Sequence, residues 1–241
     1  MNSNRLRLSN IEKAFGSKKI LTDISFSIGA NEIVGLLGPN GAGKTTAFYI
    51  AAGLIFPNGG KVFINNQDVT NTPMHARANL GLGYLPQESS IFSDLSVESN
   101  LLGIAEFTDG NKDQQISKVE KVVDDFNLKQ ILKTKGRMLS GGQRRKVEIA
   151  RTVICQPSIM LLDEPFAGID PIAVEEIKEL LQEISKKNIS ILITDHNVRE
   201  TLSLCSRAII LNEGKIIGEG NEKSLKENMH VRQKYFGKMF S

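Results

Sequence analysis

The chain of 241 residues carries 30 Lys and Arg against 27 Asp and Glu, a net charge of +3, with 40% apolar and 24% charged residues. This balance is ordinary for a globular protein, and it is too weakly basic to argue for nucleic acid or an anionic membrane surface as partner. No run approaches the ~20 apolar residues of a membrane-spanning helix, and residues 1–8 have no apolar signal-peptide core, so a cytosolic protein is expected. Cys155 and Cys205 make neither a disulfide framework nor a metal site, and buried small apolar residues are expected there.

In chain order, Leu6 and Leu8 and then Ile24, Phe26 and Ile28 alternate with polar residues. That period predicts half-buried antiparallel strands around a turn at Gly16-Ser17-Lys18-Lys19. Phe15, a lone aromatic just before the turn, is assigned to core packing by default. The apolar run 33–37 then enters Gly38-Pro39-Asn40-Gly41-Ala42-Gly43-Lys44-Thr45-Thr46, of the form GxxxxGK[ST], and residues 47–52 read as a helix. Strand, glycine loop and helix together form a nest of backbone N–H groups for anions, reinforced by the positive end of the helix. Lys44 is placed for the β- and γ-phosphates of a nucleoside triphosphate, and the Thr45 hydroxyl for Mg²⁺.

Gly59-Gly60 is expected to break the chain before a strand at 61–65, and 73–78 to form a short helix with Pro73 in its first turn. Residues 81–87 read as a strand ending at Pro86. Gln87 then falls at a strand terminus, where ligand contacts are common in open α/β sheets, within reach of Mg²⁺ and the γ-phosphate. Between 88 and 156 the pattern turns helical, with Ser96 as one cap and Gly110-Asn111 as a break. This block is expected to be an insert within a single α/β domain spanning 1–241. At its end Leu139-Ser140-Gly141-Gly142-Gln143 opens another helix. Ser140 reads as an N-cap, and the two glycines leave backbone N–H groups uncovered, so this is either a second anion-ready helix end or an ordinary cap.

The apolar run 159–162 before Asp163-Glu164 suits a central parallel strand buried on both faces, with its acids projecting into the ligand crevice. Asp163 is placed to hold Mg²⁺, and Glu164 to orient or deprotonate an attacking water. Asp170-Pro171 caps an amphipathic helix, and 189–194 is a further buried strand ending at Asp195-His196, which favours a γ-phosphate contact for His196. Residues 207–218 carry a hairpin signal around Glu213-Gly214. The closing aromatics Tyr235, Phe236 and Phe240 are either docked or exposed for a partner.

Glycine loop, Gln87, Leu-Ser-Gly-Gly-Gln, Leu161-Leu162-Asp163-Glu164 and His196 occur in this order. In this respect the chain resembles the nucleotide-binding subunits of ABC transporters. The resemblance implies a P-loop NTPase fold of the ABC type: a mainly parallel core sheet, an N-terminal antiparallel β subdomain and a helical insert. It also implies Mg²⁺-dependent ATP hydrolysis, with Phe15 stacked on adenine. Two copies would join head to tail as a homodimer, Ser140, Gly141, Gly142 and Gln143 of one closing the nucleotide site of the other. The pair would sit on two integral-membrane permease subunits, peripheral to the cytoplasmic face of the inner membrane.

A narrower resemblance rests on His75-Ala76-Arg77-Ala78, residues 83–88, Ser90-Ile91-Phe92, residues 166–171 and residues 194–201. These are similar to ATPases of lipopolysaccharide export, and Ala167-Gly168-Ile169-Asp170 departs from the Ser-Ala-Leu-Asp common in ABC proteins. The alternatives are a branched-chain amino-acid importer ATPase and a soluble ABC ATPase of the iron–sulfur assembly type. Phe92, bulky in a polar stretch, either tucks into its own domain or lines a groove that receives a short helix of the permease.

Overall fold

The computed structural model describes residues 4–237. Alternating burial pairs β1 (Leu6–Phe15) with β2 (Lys18–Ile28) as an antiparallel hairpin. The chain then enters β3 (Ile33–Leu37), buried at every position, and α1 (Lys44–Ala52). Next come β4 (Gly59–Ile64), β5 (Gln67–Asp68), the short α2 (Met74–Ala78) and β6 (Leu82–Leu85). β4 returns to the far side of β1, which gives a four-stranded antiparallel sheet in the order β2-β1-β4-β5. The expected break at Gly59-Gly60 lies inside β4. Gly60 has φ 85°, and a Cβ there would meet the Asn10 carbonyl oxygen at 2.3 Å, so the glycine serves close approach between strands rather than a turn. Pro73 precedes α2 as its N-cap instead of lying within its first turn.

Three longer helices separate β6 from its sheet neighbour: α3 (Val97–Ala105), α4 (Lys112–Asp125) and α5 (Gly141–Ile154). Each starts at a side-chain cap read from the sequence or adjacent to a predicted break: Ser96, Asn111 and Ser140. The chain continues through β7 (Ile159–Asp163), α6 (Pro171–Lys186), β8 (Ser190–Thr194), α7 (Val198–Leu204), β9 (Arg207–Asn212), β10 (Lys215–Gly220) and α8 (Glu222–Glu227). The second sheet runs β10-β9-β3-β8-β7-β6, parallel throughout except for the β9–β10 hairpin.

One face of this sheet meets α1 and the antiparallel sheet, in a core that includes Leu36, Phe48, Leu161 and Leu192. The other meets the helical segment and α6, around Val147, Met160, Leu162 and Ile193. A smaller cluster gathers Val198, Leu202, Leu225, Val231 and Phe236. Phe236 is therefore docked, and Tyr235 lies beside it with ring centroids 5.3 Å apart; Phe240 lies outside the described residues. Cys205 is half-buried, but Cys155 is exposed. It caps the end of α5 one residue after Ile154 turns into the core, so the buried expectation fails there.

The largest fully buried side chain is Arg77. Its Nε donates to the Thr72 carbonyl at 2.8 Å, Nη1 to Ile50 and Ala51 at 2.7 and 2.8 Å, and Nη2 to Val69 and Thr70 at 2.8 and 3.4 Å. Burial lowers its pKa to about 10, so it remains charged at neutral pH. Two of those carbonyls close α1, where a cation offsets the negative end of the helix.

Candidate nucleotide site

The carboxyl ends of β3, β7 and β8 converge on one cavity of about 630 Å³. Its wall includes Asn40 to Thr46 of the glycine loop, Asp163 and Glu164 after β7, and Thr194 and His196 after β8. Gly38, Gly41 and Gly43 have φ 154°, 79° and 101°, the left-handed region that glycine tolerates. A Cβ at Gly38 would strike the Leu211 carbonyl oxygen at 2.1 Å, and one at Gly43 would meet Leu21 Cδ2 at 2.6 Å. The backbone must therefore be bare where it turns into α1. Helix α1 has neither a side-chain cap nor an acidic residue in its first turn, whereas α3 to α8 are all capped by side chains. The first N–H groups of a helix have no intrahelical acceptor; here they face the cavity, a cradle that fits a phosphate chain.

Lys44 is buried and donates from Nζ to the carbonyls of Gly38 and Pro39, at 2.7 and 3.1 Å. Burial lowers its pKa and Glu164 opposes that. Glu164 gathers two other expected site residues. Gln87 Nε2 donates to its Oε2 at 2.8 Å, and His196 Nε2 lies 2.7 Å from its Oε1. Glu164 itself has φ 47°, a conformation costing a non-glycine residue roughly 1 kcal/mol or more. Its N–H is tied to the Thr194 carbonyl at 2.7 Å, so the neighbouring strand holds the strained turn that presents this carboxylate.

Asp163 is nearly inaccessible, and its pKa is raised to about 6, by burial first and then by the Glu164 and Asp195 carboxylates, with Arg145 and His196 opposing. The Asp163 carboxylate, Thr45 hydroxyl and Gln87 amide are oxygen donors, the type that suits a hard cation such as Mg²⁺. Mg²⁺ takes few protein ligands and completes its shell with water and phosphate. A dication would stabilise the charged form of Asp163 that burial disfavours.

The remaining expected residues stand off this wall. Phe15, at the tip of the first hairpin, is 53% exposed with Lys13 Nζ 5.1 Å from its ring centroid, so the core-packing default fails. Ser140 to Gln143 start α5 elsewhere on the surface. Ser140 Oγ accepts from the Gln143 N–H, and Gln143 Oε1 accepts from the Ser140 N–H, at 3.2 and 3.1 Å. Gly142 has a second role: a Cβ there would lie 2.4 Å from Ala173 Cβ, so the glycine lets α5 approach α6. Phe92 is also 53% exposed, with the Arg151 guanidinium 4.9 Å from its ring centroid. It is pinned by its backbone, which exchanges hydrogen bonds with the Asn100 amide at 2.9 and 3.0 Å.

Sequence reasoning passed over Lys18 and Lys19, whose turn forms part of the cavity wall. It also passed over Arg145 and Glu148, buried on α5. Arg145 donates to the carbonyls of Pro86, Asp163 and Pro165 and to the Glu148 carboxylate. Glu148 accepts from the Ser89 hydroxyl and the Ser90 N–H. The pair ties the helix behind Ser140 to the segments carrying Gln87 and Glu164. Its trace in the sequence is two opposite charges three apart on the apolar side of an amphipathic helix.

A cassette of this fold, with a bare glycine loop and a carboxylate held by Gln87 and His196, defines an ATP-binding subunit. The ABC transporter family matches residues 21–167, and the chain belongs to that family as an ABC ATPase. It is 46% identical to the lipopolysaccharide export system ATP-binding protein LptB of Haemophilus influenzae, over 98% of each chain. To LptB of Escherichia coli K12 it is 42% identical, again over 98% of each. Among solved structures, it superposes on the ADP conformation of an ATP-binding cassette of an ABC transporter with a TM-score of 0.88 and 28% identity. That match covers 97% of this chain and 99% of the other.

Proposed function

We propose that this ABC ATPase powers lipopolysaccharide extraction and export, working as an ATP-dependent homodimer under two integral-membrane permease subunits at the cytoplasmic face of the inner membrane. The observation that carries the substrate is the near-complete span of the similarity to two LptB proteins. No helix among the described residues is long and apolar enough to cross a membrane, so the membrane path is assigned to partners. We read the chain as one ABC ATPase domain with residues 88–156 as its helical insert.

In this reading the bare end of α1 binds the phosphates, and Lys44 leaves its loop carbonyls to meet the β- and γ-oxygens. Phe15 offers its exposed ring to adenine. Thr45, Gln87 and Asp163 would hold Mg²⁺, which neutralises charge on the phosphates when bound. Glu164 takes the proton of the attacking water. His196 and Gln87, which hold that carboxylate in place, are the groups free to turn towards the γ-phosphate. Ser140 to Gln143 close the site of the second copy.

Phe92, exposed and fixed by Asn100, is the anchor for a short permease helix. Truncating a central aromatic anchor typically costs ~2 kcal/mol or more of binding. The subunit purified from detergent-solubilised membranes of its own cell should bring down two integral-membrane proteins and lipopolysaccharide. Soluble scaffold proteins in their place would overturn the reading. Phe92→Ala should keep its melting temperature and ATP affinity but lose the membrane proteins; retained co-purification removes Phe92 from the interface.

A further inference from the structure

Away from the nucleotide site, near the amino ends of β7 and β8, lies a second cavity of about 520 Å³. Helix α4 supplies Ser117, Lys118, Lys121, Val122 and Asp125, and the end of α5 supplies Val153 and Ile154. The sheet side supplies Arg5, Pro157, Ser158, Lys187 and Ile189. Two observations give it a chemistry. Its charged lining is unbalanced: Arg5, Lys118, Lys121 and Lys187 face a single carboxylate, Asp125, which Lys187 already engages at 2.6 Å. Arg5 bonds the Asn65 and Asn188 side chains through its two terminal nitrogens, which holds its guanidinium at the cavity wall. Finally, Val122, Val153, Ile154, Pro157 and Ile189 give the cavity apolar walls, as in small-molecule sites where few polar groups orient a mostly apolar ligand.

We infer that this cavity is a binding site for a small organic anion: a compact apolar body against the valine–isoleucine walls, and a phosphate or carboxylate among Arg5, Lys118 and Lys121. Lys118 is partly committed, to the Thr108 hydroxyl and Asp109 carbonyl at 3.0 and 2.8 Å. Lys121 is the exposed cation at the mouth. The site is independent of the identity of the transported substrate. Because its wall joins α4 and α5 to the sheet, an occupant bridges the helical segment and the core, at the opposite end of α5 from Ser140.

The probe is 1-naphthyl phosphate, titrated calorimetrically into the intact protein with the nucleotide site filled by ADP. Neutral 1-naphthol and inorganic phosphate serve as the arms that lack one half of the chemistry. One site is expected, with 1-naphthyl phosphate binding at least tenfold more tightly than either arm. Lys121→Glu reverses a charge on an exposed residue and should weaken the probe by about tenfold, leaving ATP affinity and melting temperature unchanged. Hydrogen exchange should slow in 117–125 on binding. Equal binding of 1-naphthol, an unaltered affinity in Lys121→Glu, or protection confined to 38–46 would each overturn the assignment.

Discussion

Two helix ends in this chain carry the residues expected to touch nucleotide, and they are built in opposite ways. Helix α1 begins at Gly43, in a left-handed conformation and without any side-chain cap. Helix α5 begins with a closed capping box, Ser140 and Gln143 each satisfying the other's backbone N–H. The first end has free donors, a buried lysine and a ready cavity. The second has already used its best groups on itself, and one of its glycines on packing against Ala173. An open end has backbone donors to offer a phosphate without breaking a cap. A closed one must exchange its internal bonds for external ones, which suits a group that engages only when a second copy presents its nucleotide. The same physical device, an N-terminus with glycines, is thus left open in one place and closed on itself in the other.

Four substitutions bear on that contrast. The largest effect is expected at the open end. Lys44→Ala removes the only side-chain cation of the loop and should cut ATP turnover by ~10²-fold or more, with weaker ATP binding in the same preparation. Near-normal turnover would mean the open end is not the working one. Glu164→Gln keeps the shape of the carboxylate and removes the base, so ATP should bind uncleaved and hold two chains together. Sizing chromatography at saturating Mg-ATP should show the dimer, and a strict monomer would sink the idea that the closed end completes a partner's site.

Asp163→Asn probes what the open site costs. An acid raised from 3.8 to about 6 binds more protons folded than unfolded between those values, so its contribution to stability declines as pH rises through that window. The Asn variant, free of nucleotide and metal, should therefore melt higher at pH 7.5. The gain is about 1–2 kcal/mol. That is smaller than the ~3 kcal/mol to which such a rise in pKa corresponds, because the amide still has to be desolvated. It should shrink towards nothing near pH 4, while turnover is lost throughout. An equal gain at both pH values would show that charge burial is not its source. The smallest effect is at the closed end: Ser140→Ala should cost ~1 kcal/mol, about 2–4 °C in melting temperature for a chain of this size. In the Glu164→Gln background it should also weaken the ATP-dependent dimer. Unchanged dimerisation would leave Ser140 as a cap and nothing more.

Much of the framework is visible in local pattern. Alternation marks β1 and β2, continuous apolar runs mark β3, β7 and β8, and Ser96, Ser140 and Asp170 sit where helices begin, because caps and periods are properties of neighbouring residues. Asp163, Glu164 and His196 are equally legible as polar residues that close buried strands. What is hidden depends on partners far along the chain. Nothing near Gln87 says that its amide meets Glu164, 77 residues away. Arg145 and Glu148 find their partners far along the chain: the carbonyls of Pro86, Asp163 and Pro165 accept from Arg145, and Ser89 and Ser90 donate to Glu148. Gly59-Gly60 looks like a break because its real constraint, the approach of Asn10, comes from another strand.

Arg77 has a consequence for binding entropy. A loop that must order itself around a ligand loses part of its binding energy to that ordering. Helix α1, nine residues and about 13 Å long, is gripped at its far end by Nη1 of Arg77, whose Nε and Nη2 hold the guanidinium to the carbonyls of Val69, Thr70 and Thr72. The rod behind the glycine loop cannot swivel, so its N–H groups hold their aim before any phosphate arrives. Arg77→Lys would keep the charge but replace five forked donors with three on a flexible stem. Nucleotide affinity would then fall with no contact to the nucleotide altered, and the loss would be read as an unfavourable entropy rather than a missing enthalpy. In that sense the aim of the glycine loop is set from the opposite end of helix α1.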